Sequence, residues 1–172
     1  MTTVVFSKTN QGLWTYASDR KTTTGPRVND FHLIKSKILK VSDLIIGFSG
    51  SLFTREVGYS IKTHPLAKCH NKPEHFVNCI STGIRSSYLE LFPDANNIEY
   101  IGDLLVIHES GSDVYTYRNT GAIVNRHDSF ASIGSGSRFA YVMWDKSPNL
   151  SADHYVKYAT ARDRYSSGLA SY

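Results

Sequence analysis

Two cysteines and five prolines in 172 residues are too few to supply a framework of their own. Two cysteines cannot staple a chain of this length, so its stability has to come from a packed core. Cys69 and Cys79 stand with His70 and His75 in the order Cys-His-x4-His-x3-Cys. His75 and Cys79 would share one helix face, a placement that metal ligands can use. The full spacing matches no common zinc module, however, and Cys79 falls on the apolar side of a predicted helix. No metal site and no cofactor are expected, and no disulfide in a reducing compartment. Also missing is any apolar run near the ~20 residues needed to cross a bilayer. The first 20 residues lack the basic start and apolar centre of a signal peptide. A cytoplasmic protein with no membrane partner is expected. The net charge of +4 is spread out, without a Lys/Arg block or an aromatic RNA-recognition motif, so no nucleic-acid partner is expected either.

What is present is an ordered series of strands and helices. Thr2–Lys8 reads as a strand, Asn10-Gln11-Gly12 as a turn, and Leu13–Ser18 as a second strand. A polar loop from Asp19 to Asp30 leads to an extended stretch, Phe31–Val41, and then to the apolar run Leu44–Phe48. The period turns helical from Ser49-Gly50-Ser51 to about Lys62, where Pro65 follows, and again from Pro73 to Phe92. Strands are expected at Asp103–Glu109, Val114–Arg118, Ala122–Asn125 and Phe130–Ile133. Two helices follow, one from Arg138 to about Asp145 and one from a Ser151 N-cap through Arg162. Strands, two helices, strands and two helices again suggest an α+β sandwich with helices outside two sheets. Without a linker or repeat, residues 1–172 are expected to form one domain.

Thr2 follows the initiator methionine, and methionine aminopeptidase readily removes Met1 before a small residue. The threonine left behind carries a hydroxyl and a free α-amine, whose pKa of roughly 7.7–8.0 leaves it partly neutral at physiological pH. Asp19 follows the second strand, and Lys37 stands in Lys37-Ile38-Leu39-Lys40-Val41. Gly50 closes a buried strand, Ser135 lies in Gly134-Ser135-Gly136-Ser137, and the chain nears its end with Asp163-Arg164-Tyr165-Ser166-Ser167-Gly168. In this order the constellation resembles the β-type subunits of the proteasome and the HslV-type peptidases, which are N-terminal nucleophile hydrolases. The resemblance covers nearly the whole chain. It implies a four-layer αββα sandwich of two antiparallel sheets flanked by helices.

Carried over, Thr2 corresponds to the catalytic threonine, Asp19 and Lys37 to the paired carboxylate and lysine, and Gly50 to the oxyanion-hole glycine. Ser135, Asp163 and Ser166 correspond to the groups around the threonine amine. The chemistry is coherent without the resemblance. A buried ammonium lowers the pKa of a neighbouring hydroxyl and amine, and a buried ammonium in turn needs a carboxylate. A glycine N–H at a strand end can hold a developing oxyanion. Lys35 is the alternative lysine, favoured by a gapless count from Asp19, while the apolar residues that follow favour Lys37. Phe48 stands where relatives place a specificity-pocket side chain, so small residues are expected on the acyl side of the cleaved bond.

The resemblance further implies a threonine endopeptidase acting on unfolded polypeptides inside a homo-oligomeric ring. A separate ATP-driven unfoldase is expected as partner, because the chain has no P-loop. A catalytically silent subunit of the same fold is the alternative. No propeptide beyond Met1 and no N-terminal extension of the α-type subunit are expected. Only Leu169-Ala170-Ser171-Tyr172 follow Gly168, where relatives continue into a further strand, so one sheet edge is expected to be missing.

Overall fold

A computed structural model describes residues 2–23, 31–33, 36–41, 43–50, 93, 102–118, 124–163, 166 and 169–171. Its strands are β1 (Val4–Lys8), β2 (Trp14–Ser18), β3 (Lys21–Thr23), β4 (Phe31–Leu33), β5 (Ile38–Val41) and β6 (Leu44–Gly50). They continue with β7 (Gly102–His108), β8 (Val114–Arg118), β9 (Val124–His127) and β10 (Phe130–Ile133). Two helices, α1 (Ser137–Lys146) and α2 (Ala152–Thr160), precede the short strand β11 (Ala170–Ser171). The helices expected at 51–62 and 73–92, with Cys69, His70, His75 and Cys79, lie outside the described residues. Among the described residues no helix is long and apolar enough to cross a membrane.

The strands form two main antiparallel sheets. One has the order β10-β1-β2-β11 and the other β5-β6-β7-β8-β9, beside a two-stranded β3-β4 ribbon. The class is α+β, as the sequence pattern suggests. Strand β1 explains how the layers stack, because it is buried on both faces and alternation sends its side chains to two different cores. Val4 and Phe6 meet Ile45, Leu105, Ile107 and Val114 between the sheets. Val5 points the other way, to Ala140, Tyr155, Val156 and Ala159 on the helices. Phe130 joins that second core, with ring centroids 5.3 Å from Trp144 and 5.0 Å from Tyr155. The Tyr155 hydroxyl is satisfied there, donating to the Ser147 carbonyl and accepting from Leu150 N–H.

Three local expectations change. The loop after Asp19 contains β3, which pairs with β4, so the expected single stretch Phe31–Val41 is two strands. Its polar composition hid a short ribbon that only pairing stabilises. Thr2 and Thr3 lie outside β1, in the approach to it. The C-terminal edge is present rather than missing: Ala170 pairs with Ser18 and Ser171 with Ala17. Two residues suffice there because β2 offers a ready edge of backbone donors and acceptors.

At Gly47 the two sheets approach closely. A Cβ there would fall 2.6 Å from Val4 Cγ1 and 3.1 Å from Phe6 Cε1, both side chains locked in the core. Gly47→Ala should therefore lower unfolding stability by about 1–3 kcal/mol, as overpacked cores do. Urea denaturation would show it as a lower midpoint at unchanged slope; an unaltered midpoint would mean that the sheets can part.

Candidate active site

The site forms where β1 begins, because the chain there is clamped by glycines that leave no room for side chains. Gly134 directly follows β10 with φ +92°, and a Cβ on it would lie 2.0 Å from the Thr2 carbonyl oxygen. Gly136 N–H donates to that same oxygen at 3.3 Å, and a Cβ on Gly136 would overlap Thr3 Oγ1. The Gly134-Ser135-Gly136-Ser137 turn is thus a seat for the N-terminal segment, with φ > 0 and close approach both demanding glycine.

On one side of Thr2 lies the lysine. Lys37 directly precedes β5, and its backbone is tied at both ends. Its N–H donates to Ser18 Oγ at 3.2 Å, and its carbonyl accepts from Phe48 N–H at 2.9 Å. The ammonium donates to Thr2 Oγ1 at 2.7 Å, to Asp19 Oδ1 at 2.9 Å and to the Lys21 carbonyl. Among the described residues, those three acceptors match the three ammonium protons in number. Asp19 is fully buried and also accepts Thr3 N–H at 2.7 Å and Lys21 N–H at 3.1 Å. Burial pushes the Lys37 ammonium below the ordinary lysine range, against the pull of Asp19. Burial pushes the Asp19 carboxyl up, opposed by Lys37 and the backbone amides. Lys35, the alternative lysine, lies outside the described residues.

On the other side lies a hydroxyl–carboxylate network. Ser135 Oγ donates to Asp163 Oδ2 at 2.6 Å, and Ser166 Oγ donates to the same oxygen at 2.9 Å. Asp163 follows the last turn of α2, where its N–H donates to the Ala159 carbonyl. Ser135 Oγ stands 3.5 Å from the Thr2 carbonyl oxygen. Thr2 thus has an ammonium beside its hydroxyl and the Ser135 hydroxyl near its carbonyl.

Gly50 ends β6 with φ +127°, facing Gly102 in register. Both Thr2 and Gly50 line a cavity of about 640 Å³ that opens beside the site. One wall is the end of the inner face of the five-stranded sheet. Deeper in, that face is apolar with Leu105 and Val114; toward Thr2 it turns polar with Ser49, Asp103, Thr116, Asn125 and His127. Burial pushes the His127 imidazole down, and its Nε2 lies 2.7 Å from Thr116 Oγ1. The opposite wall carries Ser132, Ser135 and Tyr141.

Of the residues singled out in the sequence, Thr2, Asp19 and Lys37 meet directly, and Ser135, Asp163 and Ser166 meet each other. Phe48 joins neither group. Strand alternation from Gly47, which faces Val4, turns Phe48 to the far side of its sheet, where it is buried and lines no part of this cavity. Sequence reasoning did not single out Thr3, Lys21 or Ser18 as site residues. Lys21, two residues from Asp19, could have been found by asking what satisfies a buried carboxylate. Ser18, which accepts the Lys37 N–H, and Thr3 carried no signal beyond adjacency to Asp19 and Thr2.

No protein-family model matches the chain, and no curated protein matches it. Solved structures do. BPH from Thiobacillus denitrificans, in complex with epoxomicin, superposes with a TM-score of 0.72 at 19% identity, over 99% of this chain and 96% of that one. The helical assembly of the Anbu complex from Pseudomonas aeruginosa gives a TM-score of 0.69 at 14% identity, over 99% and 80%. HslV from Trypanosoma brucei gives 0.57 at 18% identity, over 98% of each chain. At such identities the likeness concerns architecture. The fold of this chain is that of the proteasome-like N-terminal nucleophile hydrolases.

Proposed function

We propose that the chain, once Met1 is removed, is a threonine-type peptidase with Thr2 as its nucleophile. The carrying observation is the Lys37 ammonium held 2.7 Å from Thr2 Oγ1 by a buried Asp19. With its protons committed to three acceptors, Lys37 acts by charge, favouring the alkoxide and the neutral α-amine. The neutral α-amine takes the Oγ1 proton as Oγ1 bonds to the substrate carbonyl carbon. The negative charge moves to the carbonyl oxygen, where Gly50 N–H can donate to it. The α-ammonium then protonates the leaving nitrogen, the C–N bond breaks, and an ester to Thr2 remains. Water loses a proton to the α-amine, attacks the ester carbon, and Oγ1 departs with the proton returned.

The BPH neighbour was solved with epoxomicin, and the Anbu neighbour as a helical assembly. Those likenesses support a peptidase working as a homo-oligomer; action on unfolded chains in the cytoplasm, fed by a separate unfoldase, is the further part of the proposal. Intact mass measured after incubation with a peptide epoxyketone tests the catalytic step. One adduct at Thr2 of the Met1-free protein is expected. A Met1-free protein that takes no adduct and cleaves no peptide would leave the silent-subunit reading standing.

Lys37→Ala should reduce kcat/KM by about 10³-fold or more, the order associated with losing a principal charge in a catalytic site. Lys37→Arg should not restore it, since a guanidinium cannot reproduce the three-way donation of a compact ammonium. Peptide turnover by the purified variants checks both. The pH profile should be bell-shaped, with the rising limb from loss of the α-ammonium proton and the falling limb from loss of the Lys37 proton. Burial lowers the Lys37 pKa, so the falling limb should lie below the ordinary lysine range. Asp19 opposes that lowering, so Asp19→Asn should move the falling limb to still lower pH. A falling limb that stays in place in Asp19→Asn would remove Lys37 as its origin.

A further inference from the structure

Thr3 is fully buried and belongs to both halves of the site. Its N–H donates to Asp19 Oδ1 at 2.7 Å, on the lysine side. Its hydroxyl oxygen lies 2.8 Å from Ser166 Oγ, on the hydroxyl–carboxylate side. The direction of that second bond follows from counting protons. A carboxylate only accepts, so the single hydroxyl proton of Ser166 goes to Asp163 and that of Ser135 goes there too. Ser166 is then the acceptor from Thr3, and the donation runs Thr3 to Ser166 to Asp163, with Ser135 arriving at Asp163 from the other side. With its proton committed to Asp163 at 2.6 Å, Ser135 makes only a long 3.5 Å approach to the Thr2 carbonyl oxygen, and in the Met1-free chain its lone pairs would be open to the nearby α-amine. Gly136 fits this ordering, since any side chain there would overlap the Thr3 hydroxyl.

We propose that Thr3 is a positioning residue, whose hydroxyl orients the Ser166–Asp163–Ser135 relay that holds the Thr2 amine for proton transfer. The inference rests on the reading of Thr2 as nucleophile. Donation by Thr3 makes Ser166 a stronger donor to Asp163, because hydrogen bonds in a chain polarise one another. Without it, Asp163 is less fully satisfied, and its negative charge favours the ammonium form of Thr2. The amine would then be protonated over a wider pH range and be a scarcer base.

The test uses Met1-free protein carrying Thr3→Val, which matches the shape but lacks the hydroxyl, and Thr3→Ser, which keeps it. Titration of the ¹⁵N-labelled Thr2 amine by NMR gives a readout that does not depend on turnover. Thr3→Val is expected to raise the amine pKa by about half a unit, to shift the rising limb of the kcat/KM profile equally, and to lower kcat about tenfold with KM unchanged. Thr3→Ser should match the parent protein within about twofold. Should Thr3→Val not fold, Thr3→Ala removes the same hydroxyl with less bulk and carries the same expectations. The proposal is overturned if the hydroxyl-free variant titrates like the parent, or if Thr3→Ser changes as much as Thr3→Val. If no protein, parent included, cleaves peptide or takes the epoxyketone, the peptidase reading fails while the amine titration still decides the role of Thr3.

Discussion

The site depends on one buried ion pair. Lys37 and Asp19 are each pushed by burial toward the uncharged form, and each is drawn back toward its charged form chiefly by the other, 2.9 Å away. Two desolvated charges are rarely a good source of stability, since their attraction does little more than offset the loss of water. Here the return is positional. A lysine with three fixed acceptors can point nowhere else, and one of those acceptors is Thr2 Oγ1. Everything nearby restrains the pair: Ser18 and Phe48 fix the Lys37 backbone, and the Thr3 and Lys21 amides fix the carboxylate.

The sandwich makes that arrangement possible. β1 is the shared strand, touching the second sheet with one face and the helices with the other, so its N-terminal approach emerges at the rim of both layers. At that rim the inner face of the five-stranded sheet changes from apolar to polar and the sheets part to leave the cavity. Thr2 therefore stands at the boundary between a dry core and an open cleft. That position suits the nucleophile role proposed for it: the neighbouring charges stay out of water while Thr2 lines the cleft.

Much of the fold was legible in the sequence because its strands carry strong signals. Leu44–Phe48 is an unbroken apolar run, and Val114–Arg118 and Phe130–Ile133 are bounded by turn residues, so the strands coincide with the structure to within a residue or two. Strands β3 and β11 carried no such signal, being short and held by their pairing partners, while β4 was merged into the longer stretch Phe31–Val41. Among the site residues, the order Thr2, Asp19, Lys37, Gly50, Ser135, Asp163 and Ser166 drew attention by motif. Phe48 drew attention the same way, yet alternation along β6 turns it from the Thr2 cavity, and alternation depends on knowing which face of the strand is inside.

The sequence alone determined the residue types that the proposed chemistry draws on: a threonine directly after Met1, a lysine and an aspartate near strand ends, and glycines where the backbone must take φ > 0. Those are local properties, set by side-chain chemistry and by backbone sterics. Tertiary structure alone decided how they combine. It set the 2.7 Å from Lys37 to Thr2, the convergence of Ser135 and Ser166 on one oxygen of Asp163, and the double attachment of Thr3. Such distances arise from the packing of two sheets and a helix pair whose contacting residues are up to 163 positions apart. No local pattern encodes them, because the free energy that fixes each one is shared across the whole core.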